Sequence, residues 1–339
     1  MKTAKVTAPL TLVYEDAPIP DITPNQVLLK VNCFGVCASD QQIYHGKHKY
    51  ATMPVIMGHE FCATIKDVGA NVQEYSVGDK VTVEPQIFCG ECYPCKQGRF
   101  NVCENLKVLG VHTDGCNCEY LSLDAKYLHK VPQDLSDELV ALVEPLAVGV
   151  GSIKRSPRFI GGNVVVVGAG TIGNLTAQSA KGLGAGKVMI ADINQAKLDY
   201  ALECGIDYAV NTGETSLKEA IEAAFGDKKA DVIVDCVALP VVFQQILAAA
   251  RPNSDIIMTG NYKDPITFEV PLMQRREINL LGHMMYVRED FQDAIRLLHE
   301  GKINTRKIIS QVYPFDQYKD ALVFADENPA EVMKMIIKM

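Results

Sequence analysis

Residues 163–173 read NVVVVGAGTIG, and this stretch decides the fold of the chain's second half. Asn163–Val167 is a continuous apolar run, too short for a helix and rich in valine, the pattern of a parallel strand covered on both faces. Gly168, Gly170 and Gly173 follow at the spacing G-x-G-x-x-G, with Thr171 and Ile172 opening the helix behind them. Alone, that motif is weak. It gains meaning from a strand before it, a helix after it and an acidic residue closing the next strand. The acidic residue is Asp192, at the end of KVMIAD, 19 residues beyond Gly173. In such a turn the first glycine permits the bend and the second lets backbone approach a pyrophosphate. The third lets helix and strand pack closely, and the helix N-terminus faces the phosphates. A carboxylate at 192 accepts hydrogen bonds from ribose hydroxyls and repels a 2′-phosphate, which favours NAD over NADP. Lys197 sits nearby and would help a phosphate instead.

Outward from this turn, helix-like and strand-like segments alternate: 171–184, 187–191, 196–204, 208–210, 216–225, 231–235, 241–249 and 255–259. That alternation predicts a doubly wound α/β sheet of the Rossmann kind. Residues before about 150 differ. Short β-branched runs such as 26–31, 78–83 and 120–123 are cut by Gly, Pro and Asp, which suits an irregular β-barrel-like domain. The tail reads as amphipathic helices over 291–300 and 317–326 and a closing strand or helix over 332–339. It is expected to pack back on the first domain.

At 339 residues the chain is long enough for two domains. Its net charge of −8 and pI near 5.4 argue against a nucleic-acid or anionic-membrane partner, since both need a basic face. The N-terminal residues lack the apolar core of an export signal, and no stretch reaches the ~18–20 apolar residues of a membrane helix. With 11 cysteines and no such signal, a reducing cytoplasm is expected.

Four of those cysteines fall within fifteen residues: Cys89, Cys92, Cys95 and Cys103, spaced C-x2-C-x2-C-x7-C. Short loops of this kind aim four thiolates at one point, which suits a closed tetrahedral zinc site. With every position filled by protein, such a zinc is structural. A disulfide framework is the alternative and requires an oxidising compartment. Cys33, Cys62, Cys116, Cys118, Cys204 and Cys236 have no partners at ligand spacing and read as small buried hydrophobes.

Three further segments each carry a plausible ligand: Cys37 in FGVCASD, His59 and Glu60 in MGHE, and Glu144 in LVEPLAVG. Singly, each has an ordinary structural explanation. A lone cysteine or histidine usually packs, and a Glu-Pro usually caps a helix.

Taken together, in this order and spacing, FGVCASD, GHE, the four-cysteine knot, EPLAVG, GAGTIG and Asp192 make the chain resemble the zinc-dependent medium-chain dehydrogenase/reductases. The likeness is to the sorbitol, threonine and butanediol dehydrogenase branch. By that resemblance Cys37 and His59 bind a catalytic zinc with a carboxylate, either Glu60 or Glu144. A second, structural zinc sits on the four cysteines. Residues 1–149 plus 287–339 would form the catalytic domain, with the NAD-binding Rossmann domain, 150–286, inserted between them and the active cleft at their junction.

The implied reaction is NAD-linked oxidation of a secondary alcohol to a ketone, with zinc lowering the hydroxyl pKa. Ser39 matches the family residue that passes the alcohol proton to the nicotinamide ribose. Gln42 stands where the family often has a titrating histidine, leaving His45 to take that role through water. Tyr44 and residues 283–286 are candidate pocket positions. Met285 replaces the arginine that sorbitol enzymes tend to carry, so a polyol, sugar derivative, sugar acid, L-threonine or 2,3-butanediol all remain open as substrate. A homodimer or homotetramer is implied. The rival functions are a zinc-free quinone or enone reductase, a non-catalytic NAD-binding protein and a nucleic-acid-binding zinc module.

Overall fold

The computed structural model describes residues 1–339. The chain divides into two compact units: Met1–Glu144 with Thr305–Met339, and Pro145–Asn304.

In the second unit the valine run forms a strand, Asn163–Val167, inside a six-stranded sheet. From edge to edge its strands are Tyr208–Asn211, Lys187–Asp192, Asn163–Val167, Val232–Asp235, Asp255–Met258 and Asn279–Gly282. All neighbours are parallel, and the order reverses beside Asn163–Val167. In open sheets of this kind a nucleotide binds at that reversal, outside the carboxyl ends of the strands. The valine pattern follows from layering. Val164 and Val166 pack with Ala177, Ala180 and Leu198 on one face, and Val165 and Val167 pack with Ile221, Phe243 and Ile246 on the other. Successive side chains alternate faces, so where the strand is covered on both sides, at residues 164–167, every position is apolar. Each buried valine contributes roughly 1.5–3 kcal/mol.

The first unit is largely antiparallel. Its longest strand, Gln26–Val36, pairs with Glu60–Val68 along one edge. Its other edge is shared between two strands, Tyr120–Asp124 beside residues 26–30 and the C-terminal strand Lys334–Lys338 beside residues 33–36. That C-terminal strand also pairs in parallel with Ile309–Pro314. Phe34 anchors the core, meeting Phe315 and Tyr318 edge-on at 6.4 and 5.3 Å. No helix is long and apolar enough to cross a membrane.

The expected boundaries shift. The helix expected over 291–300 is Arg288–His299, and it lies in the second unit, not with the first. Its buried face holds Phe291, Ala294, Leu297 and Leu298, and Leu297 rests against Gly182 of the same unit. Lys154 ties its first two turns through Asp290 and Asp293 at 2.7 and 3.0 Å. Apolar burial together with paired charges therefore keeps residues 287–304 on the nucleotide side. The rest of the tail does belong to the first unit, as the helix Tyr318–Glu327 and a closing strand, Lys334–Lys338.

Candidate active site

Cys37 caps the helix Ala38–Tyr44, and Asp40 Oδ2 accepts the Cys37 N–H at 2.9 Å, fixing the cysteine's backbone. His59 and Glu60 arrive from the start of Glu60–Val68, just after a turn at Gly58. That turn tolerates only glycine. Its φ is +95°, and an added Cβ would sit 2.0 Å from Asn117 Oδ1. Residues 56–58 are pinned from the other side, with Gly115, Cys116 and Asn117 donating backbone hydrogen bonds to Ile56, Gly58 and Met57. Asn117 Nδ2 in turn donates to the buried Tyr318 hydroxyl at 2.9 Å.

The outcome is a cluster. Donor atoms of Cys37, His59 and Glu60 all lie within 4.8 Å of one another. Asp40 Oδ1 lies 4.0 Å from His59 Nδ1, facing the imidazole without a hydrogen bond. Burial alone would lower the His59 pKa, but its hydrogen bond to Cys37 and the charges of Cys37, Asp40 and Glu144 lift it well above the usual histidine value. Burial raises the Asp40 pKa against the opposing pull of His59. Ser39 Oγ, Asp40 Oδ1 and His59 Nδ1 are buried without hydrogen-bond partners. Unsatisfied polar atoms around a thiol, an imidazole and a carboxylate fit a zinc ion with an open position for substrate.

Glu60 and Glu144 are not equivalent. Glu60 joins the cluster while both its oxygens accept from Lys334 Nζ, at 2.7 and 2.6 Å. Glu144, buried in the first turn of Val143–Ile153, acts on His59 and Lys334 through its charge and is not among the three clustered donors.

The four-cysteine knot also closes on itself. Cys103 Sγ lies 3.5 Å from Cys89 Sγ and 3.9 Å from Cys92 Sγ. Tetrahedral zinc with Zn–S bonds of about 2.3 Å places sulfurs about 3.8 Å apart, so the spacing fits. Backbone N–H groups of Cys89 and Asn105 point at Cys103 Sγ, and that of Cys92 points at Cys89 Sγ, as thiolates require.

In the second unit each glycine of the turn has a distinct environment. Gly168 has φ +101°, and a Cβ on Gly173 would meet Gly168 O at 1.8 Å. Gly170 faces open space and caps Thr171–Gly182, leaving room for a phosphate. Ile172 and Thr171 form the first helical turn. Asp192 braces this loop. Its Oδ2 accepts from Ala169 N at 2.6 Å, and its Oδ1 accepts from Ile193 N and Asn194 N at 2.7 and 2.9 Å. A carboxylate has about four acceptor sites, so about one remains for a ribose hydroxyl. Lys197 lies in the first turn of the next helix, Gln195–Glu203.

Other sequence expectations land elsewhere. Tyr44 and Tyr286 are core residues, 3% and 1% exposed, and Tyr286 packs on Phe291 at 5.3 Å. His45 Nε2 is engaged by both carboxylate oxygens of Asp326, at 2.9 and 2.8 Å, which ties it to the C-terminal helix. Cys33, Cys62, Cys116 and Cys118 are buried as expected, whereas Cys204 and Cys236 are half-buried. Sequence reading missed Asp40 and Lys334. Asp40 carried a signal, an acidic residue three after a candidate ligand cysteine, in a helix's first turn. Lys334 carried none, because 274 residues separate it from Glu60.

Comparison with known proteins places these features in a family. Residues 23–133 match the alcohol dehydrogenase GroES-like domain, and residues 171–300 match the zinc-binding dehydrogenase domain. Sorbitol dehydrogenase of Bacillus subtilis is 30% identical over 99% of this chain and 97% of its own length. L-galactonate-5-dehydrogenase of Escherichia coli K12 is 30% identical over 97% of this chain and 96% of its own. An alcohol dehydrogenase, RspB, of Escherichia coli CFT073, solved with NADH, superposes with a TM-score of 0.93 at 30% identity, covering 100% of this chain and 99% of that one. The chain belongs to the zinc-type medium-chain dehydrogenase/reductase family and is a zinc-type alcohol or polyol dehydrogenase.

Proposed function

We propose that the protein uses NAD to oxidise a secondary alcohol on a polyol, sugar derivative or sugar acid to the ketone, reversibly. The observation that carries this reading is the gathering of Cys37, His59 and Glu60 within 4.8 Å, beside a buried Ser39 hydroxyl that has no partner. When bound, zinc supplies Lewis-acid polarisation of the alcohol oxygen, and NAD supplies the hydride acceptor.

The chain's own residues do the rest. Cys37 and His59 hold the metal with Glu60 as the third ligand, and Glu144 stands behind them as a second charge. Asp40 sets its buried carboxyl group 4.0 Å from His59 Nδ1 as an electrostatic partner of the ring. Ser39 Oγ would relay the proton leaving the alcohol, accepting it as its own hydroxyl proton is handed on toward solvent, a role that suits a buried hydroxyl kept free of internal bonds. Gly168, Gly170 and Gly173 seat the pyrophosphate, Asp192 receives a ribose hydroxyl, and Lys197 lies beside it. The carboxylate at 192 disfavours a 2′-phosphate, so NAD is the cofactor in preference to NADP.

The edge strands of the parallel sheet, Tyr208–Asn211 and Asn279–Gly282, each leave one side without a strand partner, which supports assembly into a homodimer or homotetramer. Sedimentation would count the subunits.

The reading is tested by reconstituting the protein with zinc and offering secondary alcohols, polyols, sugar acids, L-threonine and 2,3-butanediol with NAD and with NADP. Metal analysis should return about two zinc ions per chain. NADH should accumulate with at least one hydroxylated substrate. Turnover that persists without zinc, or no reduction of NAD by any alcohol, would refute it.

A further inference from the structure

Between the two ligand-bearing segments lies a loop, residues 45–54, that begins where the helix after Cys37 ends and finishes shortly before His59. Its sequence HGKHKYATMP puts Lys47, His48, Lys49 and Tyr50 in a row. The backbone holds it tightly at its start, where Gln42 O accepts from Lys47 N and His48 N at 2.8 and 3.1 Å. Tyr50 is 61% exposed, yet its ring is ordered by neighbours. It stacks on His112 at 6.2 Å and 27°, meets His48 edge-on at 6.3 Å, and carries the Lys49 ammonium 5.5 Å from its centroid.

Both imidazoles have their proton placed by the backbone. His48 Nδ1 accepts from Tyr50 N and Ala51 N at 3.3 and 3.2 Å, and His112 Nδ1 accepts from Val108 N at 3.0 Å. A neutral ring whose Nδ1 accepts must carry its hydrogen on Nε2, so each ring presents a donor. His48 is close enough to His112 and His59 to feel both charges, which, with burial as the larger cause, lower its pKa. The loop therefore shares its surroundings with the metal-binding histidine. Lys49 rests on an aromatic face and pairs with no carboxylate, and neither does Lys47. In a chain of net charge −8, this is a local group of cations and N–H donors left without internal anions.

We propose that Lys49, His48 and His112, arranged around Tyr50, bind an anionic group at the end of the substrate remote from the reacting carbinol, so that the preferred substrate is a carboxylate- or phosphate-bearing polyol. This rests on the reading of Cys37, His59 and Glu60 as the reacting centre. Lysine and fixed N–H donors recognise an oxyanion by charge-assisted hydrogen bonds, whereas a neutral hydroxymethyl end gains little from them. Tyr50 supplies a flat wall for the carbon chain and holds the ammonium in place.

The test uses the zinc-loaded enzyme with NAD and three six-carbon compounds that differ at one end: L-galactonate, galactitol 1-phosphate and galactitol. The expected result is a higher kcat/KM for one of the two anions than for galactitol, and which anion wins distinguishes carboxylate from phosphate. In Lys49→Met and His48→Phe variants the anion-to-galactitol ratio of kcat/KM falls about tenfold, chiefly through KM, the loss expected for one charge-assisted contact. Lys49→Arg keeps the ratio, which a merely structural role for the loop would not require. Galactitol used as well as either anion, or a ratio unmoved by Lys49→Met and His48→Phe, overturns this inference while leaving the dehydrogenase reading intact. No NAD reduction by these or any other alcohol overturns both.

Discussion

Lys334 Nζ donates to both carboxylate oxygens of Glu60, at 2.7 and 2.6 Å, and to Val36 O at 3.1 Å, and both side chains are almost fully buried. A strand from the far end of the chain thus places a cation against a carboxylate of the candidate metal cluster. Burial would lower the Lys334 pKa, but Glu60, Cys37 and Glu144 together raise it, so the ammonium stays charged. Its charge offsets part of a site crowded with anions before any metal enters.

Removing that cation should hurt most when the metal is absent. Lys334→Met leaves Glu60 as an unpaired buried anion, and breaking such a pair typically costs about 3–5 kcal/mol. Urea unfolding of the chelator-treated variant should show that loss, and zinc loading should restore part of it. The double variant Glu60→Gln/Lys334→Met, with no orphaned charge, should recover much of the stability. Equal losses in the metal-free and zinc-loaded forms would contradict the charge-offset role.

The two metal sites should separate by mutation. His59→Ala should lose one zinc per chain, as measured by atomic emission, and lower kcat/KM by at least about a thousandfold while unfolding near the parent midpoint. Cys95→Ser should instead lose the zinc of the knot and lower the unfolding midpoint, because the knot's metal closes loops that lack a core of their own.

Thiol chemistry should report the knot directly. The N–H groups of Glu91 and Cys92 lower the Cys89 thiol to about 6, and the residue is exposed, whereas burial pushes Cys95 up to about 12. After chelation, iodoacetamide should modify Cys89 first, with a rate that rises through pH 6 instead of the ordinary thiol value near ~8.5. Cys118, buried and pushed up to about 12, should stay unlabelled in the folded protein. Peptide mapping by mass spectrometry reads the order.

Asp192 should prove more than a cofactor selector. Since its Oδ2 accepts Ala169 N of the glycine turn while its Oδ1 accepts the N–H groups of Ile193 and Asn194, Asp192→Ser removes the link between that turn and the end of its own strand along with the ribose contact. NADH affinity, followed by fluorescence titration, should fall by about tenfold or more, while NADP binding improves only slightly because the loop is no longer held. A clean switch to NADP at the parent's affinity for NAD would show that the brace is dispensable.

What the sequence alone determined about this protein is what short-range pattern controls. The valine run, the glycine turn, Asp192 and the four-cysteine knot each form within a few dozen residues, where side-chain alternation, a positive φ or ligand spacing leaves little choice. Tertiary structure decided everything that depends on distant segments meeting. It set Glu60 with Cys37 and His59 in the candidate metal cluster and left Glu144 out of it, brought Lys334 across 274 residues to hold Glu60, and tied His45 to Asp326 across 281. It also kept the helix Arg288–His299 with the nucleotide unit, through Leu297 on Gly182 and Lys154 on two aspartates. Burial and charge pairing between remote strands and helices are properties of the packed chain, and no local pattern encodes them.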